Sequence, residues 1–114
     1  MEFLKTEKAP EAIGPYSQGT KANGFVYVSG QLPIDMETSE LVTDDVRKAA
    51  RASLTNVLEI VKSAGGKLED ILKVNVYVTN ISDFDEINKE YAEFFKDHKP
   101  ARALVEVARL PKDA

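Results

Sequence analysis

Three short stretches hold residue types whose spacing suits small-molecule chemistry. In PARALVEV, residues 100–107, Arg102 stands where Pro100 restricts the backbone and a strand-like run begins. A guanidinium held on such a rigid element is a permanently charged planar fork, suited to bidentate capture of a carboxylate. In AIGPYSQ, residues 12–18, Gly14-Pro15 sets a tight bend and presents Tyr16 and Ser17 just beyond it. In VSGQLP, residues 28–33, Ser29 closes a strand and Gly30 lets a ligand come close to the backbone. Each stretch also has a plainer use. Tyr16 can plug its own turn, Ser29-Gly30 can be an ordinary turn, and Arg102 can pair with Glu106 on the same strand face. The residues by themselves leave both readings open.

Other reactive side chains fit structural roles. Cysteine is absent, which removes disulfides, thiolate metal sites, iron–sulfur clusters and a cysteine nucleophile, and a single histidine gives little for a transition-metal cage. That histidine, His98, stands beside Lys96 and Lys99 at a helix end, where positive charge favours the dipole. No serine has a nucleophile elbow, so a triad is not expected. Asp44-Asp45 reads as helix-terminus electrostatics, and Glu69-Asp70 with Asp83, Asp85 and Glu86 as solvated surface. No calcium-loop or phosphate-loop spacing occurs, and no metal site is expected.

These groups must be positioned by one domain, residues 1–114, with 43% apolar and 30% charged residues, the usage of a soluble folded chain. The N-terminus carries no signal-type segment and no run is long enough to span a bilayer, so a cytoplasmic location is expected. A net charge of −4 disfavours a nucleic-acid partner.

Local patterns divide the chain into short strands and two helices. An opening strand is expected over residues 2–6, then a hairpin of 19–22 and 25–29 turning on Asn23-Gly24, and loop from Gly30 to Val42. Thr43 is expected to cap a helix carrying Asp44 and Asp45 in its first turn and stopping at Gly65-Gly66, with Val46, Ala50, Leu54, Val57, Leu58 and Val61 as its apolar stripe. Residues 71–79 alternate Leu72, Val74, Val76 and Val78 against polar neighbours, as a half-buried strand does. Ser82 with Asp85 resembles a capping box for a second helix, whose face is Phe84, Ile87, Tyr91, Phe94 and Phe95 and whose end is set by Pro100. The last strand places Ala101, Ala103, Val105 and Val107 on one side and Arg102, Leu104, Glu106 and Ala108 on the other. The order describes an α+β chain with both helices on one sheet face. With no third helix to cover it, the other face is expected to meet further copies of the chain.

Taken in order, IGPYSQG, VSGQLP, AGGKLEDILKVNVYVTNISDFDEIN and KPARALVEVARLPKDA closely resemble the Rid family, the reactive intermediate deaminases also called YjgF-type proteins. The resemblance spans nearly the whole chain. It implies a chorismate-mutase-like subunit with a mixed sheet, assembled as a homotrimer with a small-molecule pocket in each cleft between subunits. It implies hydrolysis of 2-imino or enamino acids such as 2-aminoacrylate to the 2-oxo acid and ammonia, without a cofactor. On this resemblance Arg102 clamps the substrate carboxylate and Tyr16 lines the pocket from the neighbouring subunit. Ser29, with the backbone of Gly30 and Gln31, hydrogen-bonds substrate or water, and Asn88 adds a polar contact. A non-catalytic trimer binding carboxylate metabolites is the alternative, and a translation-inhibiting ribonuclease a more remote one.

Two departures from the family pattern stand out. Leu104 occupies a position where many members carry cysteine, so a thiol has no part here. The sequence also stops at Ala114, before a strand on which members carry a glutamate that activates water. The resemblance therefore implies a longer natural chain and leaves the general base unassigned. Glu106 is no substitute, since four residues of strand put it roughly 13 Å from Arg102.

Overall fold

The computed structural model describes residues 1–114 as seven strands and two helices: β1 (Glu2–Leu4), β2 (Gly19–Ala22), β3 (Phe25–Val28), β4 (Ile34–Asp35), β5 (Glu40–Leu41), α1 (Val46–Ser63), β6 (Lys73–Val78), α2 (Phe84–Phe95) and β7 (Ala101–Glu106). The β2–β3 hairpin turns on Asn23 and Gly24, both at positive φ (54° and 78°), the backbone a two-residue turn requires. Strand β1 lines the other edge of β2 in antiparallel register, Leu4 opposite Gly19. Gly19 has to be glycine, because a Cβ there would lie 2.8 Å from the Tyr27 carbonyl oxygen and 3.0 Å from Ile60 Cγ2. β2, β3 and α1 approach one another through that missing side chain.

Several local expectations shift. The opening strand ends at Leu4, and Lys5 and Thr6 leave the ladder. Helix α1 is capped by Asp45, whose Oδ1 accepts the Lys48 amide at 3.0 Å, so Asp44 and Asp45 precede the helix and Thr43 is not the cap. An extended backbone at Asp45 lets its carboxylate reach the third helical amide. At the other end Gly65 (φ 88°) donates to Lys62 O and Gly66 to Val61 O, the paired bonds of a glycine-closed helix.

The cap of α2 also differs. Asn80 Oδ1 accepts both the Ser82 amide (3.0 Å) and the Ser82 hydroxyl (2.6 Å), making a 3₁₀ turn, Ile81–Asp83, that runs into the helix. Ser82 is thus a donor to the cap. The helix ends at Phe95, short of Pro100, where Lys96 takes positive φ and donates to Ala92 O. Within the expected loop of residues 30–42, β4 and β5 form a small hairpin of two residues a side, too brief to leave a periodicity. It is fastened to α1 by the buried Asn56, whose amide donates to Ile34 O at 2.9 Å.

β6 and β7 run parallel through α2, with Val74 opposite Arg102 and Val76 opposite Leu104. Those four side chains form the half-buried row, while Lys73, Asn75, Tyr77, Ala101, Ala103 and Val105 point away and are exposed. Leu72, expected in the inner row, precedes the strand and is 69% exposed. The core joins Leu54 and Val61 of α1 with Ile71 and Phe95, and both Val28 of β3 and Val74 of β6 pack on it. Both helices therefore cover the same face, and the chain is α+β. The expected single mixed sheet is divided into three separately hydrogen-bonded ladders, β1-β2-β3, β4-β5 and β6-β7, bridged by side chains. On the uncovered face Phe3, Phe25, Tyr27, Tyr77 and Val105 are exposed. No helix is long and apolar enough to cross a membrane.

Candidate functional site

Strand β7 aims Arg102 inward, toward α2. Its guanidinium carbon lies 4.7 Å from the Tyr91 ring centroid and 5.7 Å from that of Phe84, and the group forms no ion pair within the chain. Phe84, Asn88 and Tyr91 are spaced one helical turn apart, so Asn88 shares the α2 face against which Arg102 lies. Glu106 is not the partner of Arg102. Its Oε1 accepts the Ile81 amide at 3.0 Å, tying the end of β7 to the entry of α2. A charged fork is thus stacked on aromatic faces with its donors uncommitted, and a planar anion of carboxylate geometry is the species it can hold.

Tyr16, Gly30 and Gln31 come together elsewhere, lining a cavity of about 290 Å³ with Ile13, Met36 and Lys112. Tyr16 is 52% exposed, its ring rests against Gly14, and its hydroxyl accepts the Ile13 amide at 3.4 Å. Ser29, next to Gly30, is not itself among the lining residues. Its hydroxyl donates to Ser17 O at 2.6 Å and its amide to Gln18 O at 2.9 Å, and the Gln31 side chain donates to Ser29 O at 3.1 Å. Within one chain, then, the expected residues fall into two groups: Arg102 with Asn88, and Tyr16 with Gly30, Gln31 and Ser29. Arg102 does not line the Tyr16 cavity.

Other residues set these groups in place without having stood out in the sequence. Gln18 is buried at 4% exposure, accepts the Thr6 amide at 2.7 Å and donates to Thr6 O, Ala9 O and Pro10 O, which holds the segment leading into the Tyr16 loop. Glu90, buried on α2, takes hydrogen bonds from Arg47 (3.1 Å) and Arg51 of α1. The Arg51 hydrogen bond, ahead of the opposing effect of burial, holds the Glu90 carboxyl below its ordinary range. Arg47 is correspondingly raised, first by its bond to Glu93. Burial pushes the Tyr91 phenol up, with the Arg102 charge opposing it. His98 Nε2 donates to Ile71 O (2.7 Å), so it latches the end of α2 to the start of β6. No cluster of three or more His, Asp or Glu side chains is arranged to hold a metal ion.

A family model described as Endoribonuclease L-PSP matches residues 6–114. A RutC family protein of Sulfurisphaera tokodaii is 50% identical over 114 residues, spanning 100% of this chain and 91% of the relative. A Salmonella typhimurium protein named 2-iminobutanoate/2-iminopropanoate deaminase is 50% identical over 113 residues, 96% of this chain and 88% of the relative. Among solved structures, Escherichia coli TdcF with bound serine superposes with a TM-score of 0.93 at 45% identity, covering 99% of this chain and 91% of that one.

Proposed function

This chain belongs to the Rid family, whose matching model spans residues 6–114, and from that premise we propose that it hydrolyses reactive 2-imino and enamino acids, 2-aminoacrylate among them, to 2-oxo acids and ammonia. The observation that carries the reading is Arg102: a half-buried guanidinium, stacked on Tyr91 and Phe84, with no carboxylate of its own chain in the fork. In that fork the substrate carboxylate is held in plane, and the adjacent C=N carbon is presented in one orientation to water. The protonated imine is already electrophilic. Water adds to carbon, the C–N bond breaks with transfer of protons to nitrogen, and R–C(=NH₂⁺)–COO⁻ plus H₂O becomes R–CO–COO⁻ plus NH₄⁺. The guanidinium neutralises the carboxylate, which would otherwise oppose charge build-up at the adjacent centre.

The assembly in this proposal is a homotrimer. The outward row of β6 and β7 and the outer face of β1–β3 expose Phe3, Phe25, Tyr27, Tyr77 and Val105, apolar surface that a second copy would cover. In this proposal the Tyr16 cavity of one subunit meets Arg102 of another at the junction between copies. The two groups that lie apart in a single chain would then make one pocket. Asn88 and Ser29 act there as hydrogen-bonding residues.

The test is ammonia release from 2-aminoacrylate generated in the cuvette by a pyridoxal-phosphate-dependent dehydratase. The protein is expected to accelerate release and Arg102→Ala to abolish the acceleration. No acceleration by the full chain overturns the reading. A second reading, a metabolite-binding protein without turnover, draws on the serine seen in the TdcF structure. Stabilisation by 2-oxobutyrate without ammonia release would select it.

A further inference from the structure

Of the two rings under Arg102, only Tyr91 carries a polar atom. Its hydroxyl is buried and has no hydrogen-bond partner in the chain. Elsewhere the buried polar side chains Gln18, Asn56 and Glu90 are all partnered. A buried donor left without an acceptor is a net cost to the folded chain, so an orphan of this kind calls for an explanation. The ring has little freedom to turn away. It packs against Phe95 at 4.6 Å between centroids and carries the guanidinium on its face at 4.7 Å. The hydroxyl is therefore fixed at the rim of the same ring that the positive charge covers.

Burial raises this phenol above its ordinary value and the Arg102 charge only partly offsets the effect, so at neutral pH the hydroxyl is protonated and available as a donor. A carboxylate in the Arg102 fork would use two of its roughly four lone-pair sites. The others remain free to accept.

We propose that Tyr91 completes the anion site: its ring orients the Arg102 guanidinium and its hydroxyl donates to the carboxylate that the guanidinium holds. The proposal rests on the reading of Arg102 as a carboxylate clamp and adds the residue that makes the clamp selective. A carboxylate satisfies both donors at once. The neutral amide of the same acid presents one acceptor oxygen and two competing hydrogens, and is rejected.

Titration calorimetry with 2-oxobutyrate tests this on the intact protein, on Tyr91→Phe, on Tyr91→Leu and on Arg102→Ala, together with thermal unfolding of each. Tyr91→Phe keeps the platform and loses the donor; affinity is expected to fall about 10- to 100-fold, the range of a hydrogen bond to a charged group. Its unfolding midpoint is expected to stay level or rise, since an unsatisfied buried hydroxyl is gone, and a merely structural tyrosine would not separate the two readouts in this way. Tyr91→Leu loses the platform as well and is expected to bind more weakly than Tyr91→Phe. In turnover, Tyr91→Phe is expected to raise KM with little change in kcat. Affinity of Tyr91→Phe equal to that of the unsubstituted protein, with Arg102→Ala inactive in binding, overturns the role of Tyr91 alone. Binding that survives Arg102→Ala, or no binding by the unsubstituted protein, overturns the clamp beneath it.

Discussion

Val74 of β6 stands directly opposite Arg102 of β7 in the parallel ladder, so the arginine occupies a place in an otherwise apolar row that faces α2. A charge in such a row is costly unless it is satisfied or kept partly wet. Here aromatic faces cover its flat side, and its residue remains half-buried, not sealed. No ion pair forms with Glu106, which lies four residues along the strand and whose carboxylate accepts the Ile81 amide.

Lysine cannot replace that arginine. Arg102→Lys retains the charge but loses the planar fork and the stacking on Tyr91, so kcat/KM for imine hydrolysis is expected to fall about 100-fold, equivalent to roughly 2.7 kcal/mol. Ammonia release under subsaturating imine measures this, and wild-type activity in the lysine variant would contradict the fork geometry.

The buried carboxylate of Glu90 links α1 to α2, and its pKa is lowered by Arg51 first. A carboxyl whose folded pKa lies below its unfolded one stabilises the fold above the unfolded value of 4.5 and loses that contribution as pH falls through the lower, folded value. Glu90→Gln is expected to cost about 2 kcal/mol at pH 7. Urea unfolding of both proteins should show the difference shrinking once pH drops below the ordinary carboxylate range; a gap that widens in acid would refute the assignment.

Gln18 alone satisfies backbone groups of Thr6, Ala9 and Pro10. Gln18→Leu keeps the volume and strips the bonds, leaving buried amide and carbonyl groups unpaired, with an expected loss of about 2–4 kcal/mol. The variant should also exchange the Thr6 amide proton faster than the native protein, which hydrogen exchange reads directly. Equal protection in both would show that the glutamine is dispensable.

Val105 and Tyr77 lie opposite each other on the exposed side of β6–β7. If this side is the subunit interface, Val105→Glu buries an unpaired charge there and splits the trimer. Sedimentation velocity is expected to show a trimer for the native chain and monomer for Val105→Glu. A native chain that sediments as a monomer removes the shared cleft from the proposal.

Much of the scaffold was legible because its signals are local. Asn23-Gly24 dictates a tight hairpin through positive φ, Gly65-Gly66 closes α1, and the two-residue and helical periods mark β6, β7, α1 and α2. Helix starts were less legible, since Thr43, Asp44 and Asp45 all can cap and the choice falls on the one whose backbone extends as its carboxylate meets Lys48 N. The β4–β5 hairpin left no trace at all, being held by Asn56 from a distant helix.

The sequence by itself determined which residue types are available: one arginine at a strand start, a tyrosine after a Gly-Pro bend, a serine at a strand end, and no thiol. Tertiary structure decided what they do. Alternation along β7 says only that Arg102 and Ala101 face opposite ways; the parallel register with β6 and the packing of α2 decide which of them faces inward, and hence that Arg102 meets Tyr91 and Phe84 and not Glu106. Long-range packing is a property of the folded chain as a whole, and no local period encodes it.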